Sequence, residues 1–177
     1  MRVILSSLCC ATALLLSACG FHLEKQQVLP SRLHSIHVEA DHFDALTRRL
    51  ESSLSAAGAT VMSNGKNADI TLKITQENRS QEAQTIGASQ QSREYALRYT
   101  VTFILTNREG KLLAGPLMAH NQRTQVLQSS QILGATSQTD DLYNDMLNEV
   151  VKQIMDQLGS ESVQRDLNAK PDTTSAP

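Results

Sequence analysis

The chain has 177 residues and a formal net charge of −2, which argues against a general nucleic-acid binder, since that function needs a basic surface. Aromatic residues make up 3% and Trp is absent, so platforms for stacking bases or sugar rings are hard to build. Cys9, Cys10 and Cys19 are the three cysteines, so the body of the chain has no thiol for nucleophilic catalysis, zinc ligation or a disulfide pair.

The N-terminus carries the strongest single pattern. Arg2 precedes an apolar run over residues 3–16, and Leu16-Ser17-Ala18-Cys19 closes it with small residues before a cysteine. A membrane-spanning helix needs about 20 apolar residues, and this run is shorter, so residues 1–18 read as a cleaved signal peptide. The cysteine position resembles a bacterial lipobox. That resemblance implies an N-acyl and diacylglycerol lipid on Cys19 and no other cofactor. Each buried methylene of such a lipid contributes about 0.8 kcal/mol to membrane attachment. Gly20 stands where an Asp often marks retention in the inner membrane, which favours the outer membrane.

Residues 19–34 read as an extended lipidated lead, with Pro30 opposing a helix. Over residues 35–40, Ile36, Val38 and Ala40 alternate with Ser35, His37 and Glu39, which predicts a half-buried strand. Asp41 is placed to cap a helix, with Asp44 in its first turn. Phe43, Leu46, Leu50, Leu54 and Ala57 share one helical stripe, and Gly58 supplies the stop. After Asn64-Gly65, Ile70, Leu72 and Ile74 alternate with Thr71, Lys73 and Thr75 as a second strand, continued by the polar stretch 76–84. Gly87-Ala88-Ser89 marks a loop. Tyr95, Leu97, Tyr99, Val101, Phe103 and Leu105 form one face of a third strand, and Asn107-Arg108-Glu109-Gly110 is a hairpin turn. A fourth strand falls within residues 111–127, where Pro116 points to an edge strand or a bulge. Residues 129–139 read as a polar loop. Asp140 and Asp141 open a second helix with the stripe Tyr143, Met146, Leu147, Val150, Ile154 and Leu158. Residues 161–177 read as a disordered tail.

The order β-α-β-β-β-α predicts an α+β fold over residues 35–160. Both helices pack on one face of a mixed four-stranded sheet, as a two-layer sandwich. The opposite face, with Thr71, Lys73, Arg98, Thr100 and Thr102, is then left either solvated or free to dock a partner.

Catalytic patterns are missing from the sequence. The histidines include no HExxH, and His34 and His37 have opposite strand parity, so they do not converge on a metal. No nucleophile elbow and no glycine-rich phosphate loop occur, and Asp140-Asp141 reads as helix capping. This silence points to a binding or assembly protein and not to an enzyme. Lys73, Arg79, Arg93, Arg98 and Arg123 could meet an anionic head group or a partner, or be ordinary solvated charge.

Cys19-Gly20-Phe21-His22-Leu23 resembles the mature start of the LptE family of outer-membrane lipopolysaccharide-assembly lipoproteins. Similarity continues through the strand-helix order, through Glu94-Tyr95 at the opening of the third strand, and through the helix containing Asp145-Met146 and Gln153-Ile154. It covers about residues 16–160. The resemblance implies two helices on a four-stranded sheet. It also implies a position as a plug inside the LptD β-barrel in the outer membrane, a role in inserting lipopolysaccharide, and no covalent chemistry. Family members can carry an Arg before the third strand and a Lys before the last helix, linked to lipopolysaccharide contact. Here residues 85–90 and 133–137 contain no basic residue. A different periplasmic lipoprotein adaptor, regulating a cell-wall synthase or piloting a secretin, is the alternative.

Overall fold

Alternating burial builds the first strand. In β1 (Ser35–Glu39), Ile36 and Val38 are buried and Glu39 is exposed. The computed structural model describes residues 29–41, 44–86, 92–128 and 135–169. The signal segment, Cys19, the lead up to residue 28, Phe43, the loop at 87–89 and the tail beyond 169 lie outside the described residues. The first helix, α1 (Ala45–Ala56), starts later than expected. Asp44 is its N-cap in place of Asp41, because the Asp44 carboxylate accepts hydrogen bonds from the amides of Leu46 (2.9 Å) and Thr47 (3.1 Å). Leu46, Leu50 and Leu54 are buried as the stripe predicts, and Gly58 takes φ 90° just past the end.

The sheet has five strands and not four. The unforeseen one is β2 (Thr60–Val61), which pairs parallel with β1. Two residues are too few to show an alternation, so no periodicity announces it. The chain then crosses β1 on the face away from the helices. In this crossing Gly65 lies so close that a Cβ would stand 3.0 Å from Thr71 Oγ1 and 3.3 Å from the His37 ring. Thr71 is therefore buried beneath this connection and does not belong to the open face expected of it.

β3 (Ile70–Ile86), β4 (Ser92–Asn107) and β5 (Leu112–Gln128) complete the strand order β2-β1-β3-β4-β5. β3 runs parallel to β1, and the β3–β4 and β4–β5 pairs are antiparallel. Pairing between β1 and β3 stops at Glu39–Lys73. The sheet is thus five strands wide at one end and three at the other, and the long strands extend about 55 Å at ~3.3 Å per residue. The turn after β4 forms as predicted, with Asn107 Oδ1 accepting from the amides of Glu109 (3.0 Å) and Lys111 (2.8 Å). β5 is an edge strand and breaks register opposite Phe103–Leu105, near Gly115-Pro116, whose peptide bond is cis. A side chain at Gly115 would meet the Phe103 carbonyl at 3.1 Å.

The second helix, α2 (Ala135–Leu158), begins before Asp140. Its first turns were expected to be loop because they are polar. Their polarity faces a polar stretch of β5 instead, where Thr139 Oγ1 donates to Gln125 Oε1 at 3.0 Å. Met146, Leu147, Val150, Ile154 and Leu158 are buried as foreseen, and Tyr143 is half-buried. α2 also guards the free edge of β5. Gln157 Nε2 donates to the Met118 carbonyl (2.8 Å), and Gln153 Oε1 accepts from the His120 amide (3.0 Å), which blunts edge-to-edge association.

The expected disordered tail is corrected over its first residues, because α3 (Glu161–Asn168) is a helix there. Ser160 caps it, and Val163 and Leu167, one turn apart, are buried. Two apolar residues in eight are too few to read as a helix stripe without the groove they fill. All three helices contribute to one buried cluster with the inward residues of the sheet.

Leu50 has no exposed surface. Leu50→Ala is expected to cost about 2–5 kcal/mol in urea unfolding, and Leu50→Asp to abolish cooperative melting because it buries an unpaired charge. A near-wild-type melt for Leu50→Asp would contradict this packing.

Candidate functional site

The sheet face away from the helices has no helical cover among the described residues. Strand register assigns its side chains. From β4 come Arg98, Thr100 and Thr102, opposite Gln122, His120 and Met118 of β5. From β3 come Lys73 and, past a register shift, Gln76, Asn78 and Ser80. The field is rich in hydroxyls and amides. Lys73 Nζ pairs with Glu39 Oε1 at 2.6 Å, with both side chains about half exposed, a pairing that contributes at most about 1 kcal/mol. Arg98 Nη2 donates to Gln122 Oε1 at 3.4 Å and is otherwise exposed.

Sequence reasoning missed the apolar side of this face. Leu112, Met118 and Val126 are 52%, 58% and 59% exposed. All three lie in β5, and their partners Thr106, Thr102 and Glu94 place them on the same face. Two one-residue slips near Gly115 cancel, so Leu112 keeps the same parity as Met118 and Val126. The resulting surface is a polar field in which Leu112, Met118 and Val126 stand as separate exposed apolar residues along β5.

Arg79 belongs to the opposite, helix-bearing side. Simple alternation from Lys73 would turn it outward. A bulge between Ile74 and Gln76 reverses the parity, so Glu77 faces Val101 and Arg79 faces Tyr99. There the Arg79 guanidinium lies 4.7 Å from the Tyr99 ring centroid and 6.0 Å from that of Tyr143. It pairs with Glu77 at 3.0 Å, and the Tyr99 hydroxyl donates to the same carboxylate at 2.7 Å. The Tyr143 hydroxyl donates to the Ser80 carbonyl at 3.0 Å. Burial, reinforced by the hydrogen bond to Glu77, pushes the Tyr99 hydroxyl well above its ordinary pKa. Burial alone would lower Arg79, but Tyr99 and Glu77 outweigh it and hold the guanidinium charged. At the nearby α1 cap, burial pushes the Asp44 carboxyl up. The amides of Thr47 and Leu46 and the charge of Arg79 overcome it, so its pKa lies below the usual carboxylate value.

The five basic residues therefore do not converge. Lys73 and Arg98 share the open face. Arg93 and Arg123 are exposed, but register puts them opposite Leu127 and Leu97, on the other side. Arg79 is engaged in the tyrosine knot. His34 is exposed and the His37 ring contacts the Met62 carbonyl at 2.8 Å. Among the described residues, no group of three or more His, Cys, Asp or Glu could hold a metal ion, and no helix is long and apolar enough to cross a membrane.

A family model described as LptE, lipopolysaccharide-assembly, matches residues 33–158. No curated protein matches the chain. Solved structures that share the fold include three lipoproteins. Uncharacterized lipoprotein B from Nitrosomonas europaea is 24% identical, with a TM-score of 0.64 over 81% of this chain and 92% of that one. Rare lipoprotein B from Shewanella oneidensis is 15% identical, with a TM-score of 0.63 over 74% and 98%. A minor lipoprotein from Acinetobacter baumannii is 19% identical, with a TM-score of 0.60 over 72% and 91%.

Arg79→Ala is expected to lower unfolding free energy by about 1–2 kcal/mol, through the lost stacking and hydrogen bonds. Arg98→Ala is expected to change it by less than about 0.5 kcal/mol, and equal losses in urea titrations would contradict the division between the two faces. Asp44→Ala is expected to cost about 1 kcal/mol at pH 7. Because the folded pKa of Asp44 is depressed, its contribution is present above the unfolded value and disappears as pH falls through the folded one. The gap to wild type should therefore narrow below about pH 4, and a gap constant with pH would remove Asp44 as a charged cap.

Proposed function

The chain belongs to the LptE lipopolysaccharide-assembly family, and from that premise we propose that it is a lipid-anchored outer-membrane subunit that docks within the LptD β-barrel and supports lipopolysaccharide insertion. The observation that carries this reading is the family match across the whole two-layer body, residues 33–158. The open sheet face supplies a physical means of docking. Cys19 bears the anchor and holds the domain at the membrane. The solved relatives are lipoproteins by name, which supports the anchor.

The docking itself needs no covalent step, and the protein acts by binding. Thr100, Thr102, Asn78 and Gln122 offer donors and acceptors that suit a hydrated barrel lumen, where water can bridge the remaining gaps. Met118 and Val126, if fully covered, contribute about 1.5–3 kcal/mol each. Lys73 and Arg98 set charge register with acidic groups on the barrel wall or with phosphates of lipopolysaccharide. Arg93 and Arg123, on the other side, fall outside this contact.

Affinity purification of a C-terminally tagged chain from detergent-solubilised outer membranes tests the reading. A stoichiometric large β-barrel identified as LptD is the expected partner. A secretin, a cell-wall synthase or no partner would discard it. Lys73→Glu with Arg98→Glu is expected to lower the yield of that complex severalfold while the thermal melt stays at wild type. Unchanged yield would take this face out of the interface.

A further inference from the structure

Both chain segments that flank the family-matched stretch lie close together. On the N-terminal side, Leu29 before the match and Leu33 at its first residue are 4% and 0% exposed. On the C-terminal side, Val163 and Leu167 of α3 are 2% and 1% exposed, and all four join one buried cluster. The match ends at residue 158, so α3 lies wholly beyond it. Arg32 links the two ends directly, its Nη1 donating to the Leu167 carbonyl across 135 residues of sequence. That carbonyl belongs to the last turn of α3, where backbone acceptors have no partner within the helix and the helix dipole favours a cation. The N-terminus of α3 is fixed as well. Ser160 Oγ accepts from the Val163 amide at 3.4 Å, and Gln164 Nε2 donates to the Gly159 carbonyl at 2.9 Å.

The N-terminal segment has little regular structure of its own. Residues 31–33 form a single 3-10 turn with no side-chain cap. Such a turn is unstable alone, and β1 begins only at Ser35. We propose that α3 is a strap that locks the root of the N-terminal lead onto the domain, so that load on the lead is borne at Leu29–Arg32 and does not reach β1. If the anchor on Cys19 assigned above is correct, about ten residues separate it from Leu29. The strapped end of the fold then stays within about 35 Å of the membrane surface. The mechanical role rests on that anchor; the strap itself does not.

Hydrogen exchange with mass-spectrometric readout on the full chain in detergent tests this, using wild type, a chain ending at Gly159 and Arg32→Gln. The expected result is at least tenfold faster exchange over residues 29–34 in the truncated chain and severalfold faster in Arg32→Gln, with β3 and β4 unchanged in both. Unchanged exchange at 29–34 in both variants overturns the proposal. So does acceleration that spreads equally through β3 and β4, which would make α3 an ordinary part of the core. Should the truncated chain fail to fold, Arg32→Gln decides by the same criteria. The anchor is read separately, by whether Cys19→Ala leaves the membrane fraction.

Discussion

The inward row of β4 is the surface on which the rest of the molecule is assembled. Leu97, Tyr99, Val101, Phe103 and Leu105 are all fully buried. They lie on the central strand of the three long ones, with β3 and β5 paired along its whole length. Five consecutive inward positions on one strand give a continuous apolar strip, and both long helices need such a strip because each carries an apolar stripe of its own. Loss of this row would leave α1 and α2 no common floor. The strap helix also depends on it, since Val163 and Leu167 join the same cluster.

Interruptions of the ladder decide what each face presents. The bulge after Ile74 turns Glu77 and Arg79 toward the helices, while the two slips near Gly115 cancel and leave β5 with one parity on either side of them. One bulge converts a surface arginine into the centre of a tyrosine-carboxylate knot. Leu112, Met118 and Val126 share the open face because the two slips in β5 cancel. The bulge after Ile74 therefore decides the face on which Arg79 lies. It separates a helix-bearing side, where Arg79 is held by Glu77 and Tyr99, from an open side, where Lys73 and Arg98 remain exposed.

The edges show the same economy. β2 is two residues long, and two glutamines of α2 occupy backbone groups of β5. Both outer strands of the sheet are thus poor templates for another strand, while the broad face remains open.

Local periodicity was enough to locate most elements. Alternation in 35–40 and 95–105, the leucine spacing of α1 and the stripe of α2 depend on residues within a few positions of one another, so they are visible in a linear chain. The lipobox-like Leu16-Ser17-Ala18-Cys19 and the Cys19-Gly20-Phe21-His22-Leu23 run that resembles the family's mature start are likewise local. Three features were decided only by the tertiary structure. β2 exists because β1 offers it an edge. α3 is ordered because β5 and α2 give Val163 and Leu167 a place to bury. The side on which Arg79 lies depends on one extra residue at a bulge, a property of the pairing between strands and not of either strand alone.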